Sequence, residues 1–423
     1  MTNNKEVITS SDFRRMIAGA YSEFLLEYEN LNQLNAASLS DSGEIGTNLL
    51  RTMGAAAAAL ADANEEGIGP LAKRTADSAI LGARGNSGVV LSQIFRGLSK
   101  GLSGKYDAGS SDIGKAFQYG ILYAHRSIPD SKERPIITVA KGVAKGAYHA
   151  VRANLPISEI LGTALSAGEK ELQRTKEQYG FLDAGGQAMM VLLTGCMKGL
   201  DGNFVSPSLS LSTNFKTSNE VPKPDIDMVR PYCVSFLVKH SKVDVYDVER
   251  ILQKIGNAVV VQKHGNNTRV HLHTAHPGLI IEQAVGWGNL HDVKIDNMAQ
   301  CHESRVMTDH AEKIAVIAVA GDADMSDKMK KAGAGLVIMG GRGMNPSVGD
   351  FINAVHSDFA KQYIILPNSK NLVLVVAQVQ ELLGDRVASL KTLDMQSGLQ
   401  ALKLYKKEQS LGENIRNMQP IVK

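Results

Sequence analysis

The sequence predicts a multidomain protein: an all-helical domain first, then a small α+β domain, then an α/β domain. Three observations carry this reading. From Ser10 to about Leu200, aliphatic residues recur at three- and four-residue steps, with abundant Ala and Leu and only short β-branched runs. After the Ser-, Asn- and Pro-rich stretch DGNFVSPSLSLSTNFKTSNEVPKPD, the apolar period changes to alternation. From about Lys313, apolar strands alternate with helices, the pattern of a parallel, doubly wound sheet.

Taken in order, residues 1–200 give seven or eight amphipathic helices and no convincing strand; Ser10 or Ser11 caps the first. Residues 201–226 read as a linker. In residues 227–310, PYCVSFLVKH alternates, VDVYDVERILQKIG is helical, and NAVVVQKHGNNTRVHLHTA is a hairpin turning near Gly265 to Asn267. PGLIIEQAVGWG is then helical and LHDVKIDNM extended. In residues 311–423 the strands are KIAVIAVA, GLVIMGG and QYIILP, each followed by a helix, the last over NLVLVVAQVQELL; the final ENIRNMQPIVK has little pattern.

Composition narrows the function. At 423 residues the chain is too long for one ordinary domain, and 43% hydrophobic with 21% charged residues suits a full apolar core. A net charge of +3, with its basic residues dispersed, argues against a nucleic-acid or membrane surface. No apolar run reaches spanning length, and MTNNKEVITSSDF lacks the apolar centre of a signal peptide. Three widely spaced cysteines, Cys196, Cys233 and Cys301, do not make a disulfide framework, so a reduced, cytoplasmic setting is expected, with Cys196 and Cys301 structural.

The chemistry gathers at glycine-bearing loops. GARGNSG places Gly85, Asn86, Ser87 and Gly88 at the opening of a helix, where backbone N–H groups and the dipole suit phosphate. The same spacing suits a helix-to-helix turn capped by glycines. LSDSGEIGTN brings Asp41 and Glu44 ahead of Gly46, Thr47 and Asn48, and LDAGGQA brings Asp183 ahead of Gly185 and Gly186. Acids there suit a hard divalent cation bridging phosphate oxygens, or serve only as helix-opening charges. None of the loops has the Walker spacing or follows a strand, so neither a P-loop nor a Rossmann site is expected.

In the middle segment, VHLHT sends His271 and His273 to one face of a strand, and Cys233 sits on another alternating strand. One Cys with two His suits Zn²⁺ and leaves a coordination position open; two exposed histidines and a buried cysteine fit the same pattern.

LGARGNSGVVLSQIFRGL and LDAGGQA resemble the ATP-binding (DhaL-type) subunit of dihydroxyacetone kinases. With GGRGMNPS and ILPNSKN, practically the whole chain is similar to the catalytic subunit of bacterial fatty acid kinase. The resemblance implies an all-α helical barrel binding ATP with two Mg²⁺ ions, and an acyl substrate presented by a DegV-type fatty-acid-binding protein. Carried over, Gly46, Thr47, Asn48, Gly85, Asn86, Ser87 and Gly88 touch the nucleotide. Asp183, Gly185 and Gly186 line the rim, and Thr138 survives from a further family segment. Asp41 and Glu44 are the magnesium candidates, and Cys233, His271 and His273 the zinc set; His302 matches a family histidine of unassigned role. Members usually continue for another subdomain, so the C-terminal domain looks shortened.

This sequence departs from the family at the metal loop. NVFPVPDGDTGTN becomes NAASLSDSGEIGTN, with one extra residue and Glu44 for the second aspartate, and Pro135 replaces a threonine in ERPIITV. A longer carboxylate arm displaces an ion that demands octahedral geometry. The expected activity is a kinase making an acyl phosphate. No general base is needed, because a fatty acid carboxylate is already ionised at pH 7, and no catalytic side chain is assigned. Two other readings stay open: a kinase for a small hydroxylated ketone, and a nucleotide-binding, catalytically weak partner-binding protein. A homodimer is left open.

Overall fold

The computed structural model describes residues 5–37, 44–61, 63, 67–128, 135–204, 232–240, 243–252, 255–264, 267–297, 312–341, 343–357 and 360–419, and the elements below are those of the described residues. The expected linker lies outside them from residue 205 on.

The helical part runs α1 (Ser10–Ala37), α2 (Ile45–Ala58), α3 (Ile68–Leu81), α4 (Gly85–Gly101), α5 (Ser110–Arg126), α6 (Pro135–Arg152), α7 (Ile157–Tyr179) and α8 (Ala184–Asp201). Each helix packs on the next, and α8 returns to pack on α1, so the ring closes as a barrel. Small residues let the helices approach. A Cβ on Gly19 of α1 or on Gly199 of α8 would run into backbone of the facing helix, at Gly195 and Arg15 respectively. Gly97 of α4 meets the backbone of Tyr119 on α5 in the same way. Pro135 is the first residue of α6, where its missing N–H costs no helical bond. One detail differs from expectation: β1 (Val7–Ile8) and β2 (Ala108–Gly109) pair antiparallel beside the barrel. Two residues are too few to show a period.

The middle part is an antiparallel sheet of order β4-β5-β3-β6, from β3 (Tyr232–Lys239), β4 (Asn257–His264), β5 (Asn267–Thr274) and β6 (Asn289–Asn297). The helices α9 (Val245–Leu252) and α10 (Pro277–Val285) join it, and Val234, Phe236, Val270, Leu272, Val248, Ile280 and Trp287 form its own core.

The last part is a parallel sheet of order β10-β9-β7-β8, built from β7 (Glu312–Ala320), β8 (Leu336–Met339), β9 (Ala360–Leu366) and β10 (Val387–Ser389). Alternation along β7 splits its side chains between two cores. Ile314, Val316, Ala318 and Ala320 pack with residues of α11 (Ala323–Lys331), α14 (Met395–Leu402) and α15 (Leu411–Met418). Ala315, Ile317 and Val319 pack with residues of α12 (Val348–His356) and α13 (Val373–Leu383), in one apolar cluster that continues into the barrel. The described part of the tail expected to lack pattern is helical as far as Met418, in α15. Ser410 and Glu413 cap each other there, and only Met418 and Asn414 bury, too few residues to read as a stripe.

No helix of the described residues is long and apolar enough to cross a membrane. Desolvation pushes the Cys196 thiol up to about 12, so it stays protonated and packs as an apolar group, in keeping with a structural role.

The glycine seam sets a stability test. Gly199→Leu on α8 is expected to lower unfolding free energy by about 1–3 kcal/mol or more through overpacking against Arg15 and Met16. The urea midpoint measures it, and an unchanged midpoint would refute the close approach.

Candidate nucleotide site at the amino end of α4

Helix α3 ends at Leu81 and α4 starts only a few residues later, at Gly85. So short a turn needs Gly85 at φ +60, a left-handed value that glycine adopts at no steric cost. A Cβ there would strike the Asn48 amide and sit 2.7 Å from Asn371 Oδ1. Gly88, one turn on, is pressed against Thr52 Oγ1, which also accepts a hydrogen bond from the Arg84 N–H at 3.3 Å. The starts of α2 and α4 are therefore in contact, and what lies between them is polar.

Asn48 is 2% exposed, and its Oδ1 has no hydrogen-bond partner. A buried acceptor without a donor costs about 1–3 kcal/mol, which a bound donor or cation would recover.

The rest of this site comes from the last part of the chain. Open α/β sheets place ligands beyond the carboxyl ends of their strands, and here that edge faces the barrel. The loop after β8 brings Asn345, whose carbonyl accepts from Arg84 Nη1 at 2.5 Å and whose side-chain amide donates to Glu44 Oε2. Ser347 pairs with Arg84 as an isolated antiparallel bridge, and Asp350 lies 3.6 Å from the buried Arg84 guanidinium. The turn after β9 brings Asn371, which donates to Asn345 Oδ1 at 2.6 Å and accepts from the Asn86 N–H at 3.4 Å. Asn86 is held at both ends: its Nδ2 donates to the Lys370 carbonyl at 3.0 Å, and its Oδ1 accepts from Leu374 N–H at 3.0 Å. Further along α4, Gln93 donates to Gln378 at 2.5 Å and Arg96 pairs with Glu381 at 2.9 Å.

The expected residues thus divide. Asn48, Gly85, Asn86, Gly88 and Glu44 come together at one place, with Ser87 half-buried beside them. Gly46 and Thr47 face α1: both N–H groups donate to Asn32 Oδ1, at 2.8 and 3.2 Å, and a Cβ on Gly46 would strike the Tyr28 carbonyl. Asp183 is the N-cap of α8, accepting from Gly186 N–H at 2.7 Å, and Gly185 and Gly186 are packed on Ile136, Val139 and Leu172. Thr138 is half-buried on α6. Asp41, Cys301 and His302 lie outside the described residues, as do the side chains of Cys233 and His273.

For the zinc set the backbone register is informative. Cys233 lies directly opposite His273, and Ser235 opposite His271, so Cys233, His271 and His273 share one face of the sheet. Among the described residues no three His, Cys, Asp or Glu side chains gather as a metal cluster.

Sequence reasoning missed Asn32, Arg84, Asn345 and Asn371. Asn345 and Asn371 sit in GGRGMNPS and ILPNSKN, motifs already conspicuous for glycine and asparagine between a strand and a helix. Nothing local in them points to a helix nearly three hundred residues upstream.

The closed helical ring with a glycine turn at one rim is the part of the chain that matches the DAK2 domain, which places the protein in a DAK2-containing multidomain class. Three family descriptions match in chain order: the DAK2 domain over residues 41–198, the middle domain of the FakA-like fatty acid kinase family over 230–305, and the C-terminal domain of the same family over 315–423. The chain belongs to the FakA-like fatty acid kinase family. It is 27% identical to Protein YloV of Bacillus subtilis over 433 residues, covering 96% of this chain and 78% of that protein. An uncharacterized protein of Staphylococcus saprophyticus is 28% identical over 415 residues, covering 92% of this chain and 75% of its own length.

The glycine turn generates a stability prediction. Gly85→Ala is expected to cost about 1–2 kcal/mol in left-handed strain alone, and more from the clash with Asn48. Thermal unfolding should show a lowered midpoint, whereas an unchanged midpoint would mean the turn relaxes freely.

Proposed function

We propose that the protein is the catalytic subunit of a fatty acid kinase, transferring the γ-phosphoryl group of ATP to a fatty acid carboxylate held by a DegV-type binding protein. The observation that carries the reading is the buried Asn48 side chain, whose Nδ2 lies against the Gly85 turn at the amino end of α4 while its Oδ1 has no hydrogen-bond partner. The α4 N-terminus suits phosphate, and a hard amide oxygen beside it suits the cation a nucleotide brings. Glu44 is held at the same place by Asn345, and Asp41, three residues earlier in the sequence, is proposed as a second carboxylate for Mg²⁺, which takes oxygen ligands.

In this reading Mg²⁺ supplies charge neutralisation on the phosphate oxygens. The chain supplies position. The α4 amino end orients the phosphates, Gly85 and Gly88 let α2 and α4 approach closely, and the packing of Asn48 of α2 against α4 holds its amide in place. The carboxylate oxygen attacks the γ-phosphorus, the bond to the ADP oxygen breaks, and an acyl phosphate and ADP leave; no proton has to be removed from the nucleophile. Cys233, His271 and His273 are proposed as a zinc site because they share one face of β3 and β5. The domain limits proposed are 1–200, 227–310 and 311–423.

Two measurements test this. ATP consumption should require a fatty acid and a DegV-type partner together, and Asp41→Asn and Asn48→Ala should each lower it at least tenfold in folded protein. Turnover indifferent to both substitutions would remove the metal assignment, and turnover independent of fatty acid would remove the substrate. Elemental analysis of untagged protein should find about one zinc per chain; His271→Ala should bring it close to zero. Metal-free wild type purified without chelator would sink the zinc site.

A further inference from the structure

The side chain of Asn371 stands where an anion would. Its Oδ1 is the acceptor for the Asn86 N–H at 3.4 Å and lies beside the Gly85 turn, at the positive end of the α4 dipole. An amide oxygen on a helix-terminal N–H imitates one oxygen of a phosphate. Lys370 of that turn and Leu374 at the start of α13 take both ends of the Asn86 side chain, through the Lys370 carbonyl and the Leu374 N–H. Asn345 at the same time holds Glu44 Oε2 with its amide. The Asn86 N–H and both ends of its side-chain amide, at the amino end of α4, are therefore satisfied by the protein itself.

We infer that the Ser369–Asn371 turn and bound nucleotide compete for the amino end of α4, so that the last domain gates nucleotide entry. The inference rests on the nucleotide reading of this turn and adds a regulator to it. The gate is seated by α13, whose Gln378 makes a buried amide pair with Gln93 and whose Glu381 pairs with Arg96. Gln378 also donates to Glu381 at 3.3 Å. A carboxylate at position 378 would be buried beside Glu381 and would unseat α13 without touching the glycine turn. Linkage makes the effect reciprocal: whatever loosens the turn tightens nucleotide, and nucleotide loosens the turn. A merely structural role for Asn371 would not tighten nucleotide when its side chain is removed.

The experiment is calorimetric titration of Mg·ATP into the full chain as wild type, Asn371→Ala and Gln378→Glu, each first shown to be folded by circular dichroism. Both variants are expected to bind about tenfold tighter than wild type, in the usual range of such couplings. Hydrogen exchange of the wild type should show the Leu374 amide exchanging faster when Mg·ATP is bound, because Asn86 then releases it. Three proteins with the same affinity, or weaker binding by Asn371→Ala, would overturn the gate while leaving the nucleotide site in place. Binding by none of the three would overturn the nucleotide reading and the gate with it.

Discussion

Arg84 is the fixed point of the structure. Its backbone N–H is tied to Thr52 on α2, its chain pairs with Ser347, and its guanidinium lies buried between the Asn345 carbonyl and Asp350. A buried guanidinium is tolerable only when its donors are met, and losing a partner of such a charge costs about 3–5 kcal/mol. The partners of its Nη1 come from the last sheet unit, so the barrel and that unit are held in one register. Everything at the glycine turn follows. Gly85, left-handed because it has no Cβ, turns the chain straight after the pinned Arg84 and brings Asn86 to the turn after β9.

The fold was legible from the sequence where packing imposes a period. The barrel helices have one apolar stripe each, the middle strands alternate, and the core strands of the parallel sheet are continuous apolar runs; these signals are local and survive without any neighbour. Where a segment buries one or two residues, as α15 does with Met418, or pairs for two residues, as β1 and β2 do, there is no period to read. The ring closure of α8 on α1 is written in glycines such as Gly19 and Gly199, whose meaning depends on which helix they face.

The candidate site was half legible. The glycines of GARGNSG and the Asn48 that meets them were readable as a loop opening a helix. Gly46 and Thr47 belong to the same motif, yet their N–H groups are met by Asn32, a cap delivered from another helix rather than from the preceding residues. Asp183 shows how one chemistry serves two ends: an acid before a helix can cap it and line a rim, and the capping is seen in its bond from the Gly186 N–H. The contributions of Asn345 and Asn371 depend on the carboxyl edge of a parallel sheet being turned onto the barrel, which no local pattern encodes.

The apolar cluster that runs from the barrel into α12, α13 and one face of β7 has a consequence for how the chain is made. The chain leaves this shared core after α8, builds a middle sheet with its own core, and only then returns. On the ribosome, the α4 surface that Gln93 and Arg96 present to α13 is complete long before α13 exists. At about 5–20 residues per second, the interval between the two helices is on the order of tens of seconds. During it the nascent barrel has that seam open to water, and the polar pairs interrupt an otherwise apolar surface there.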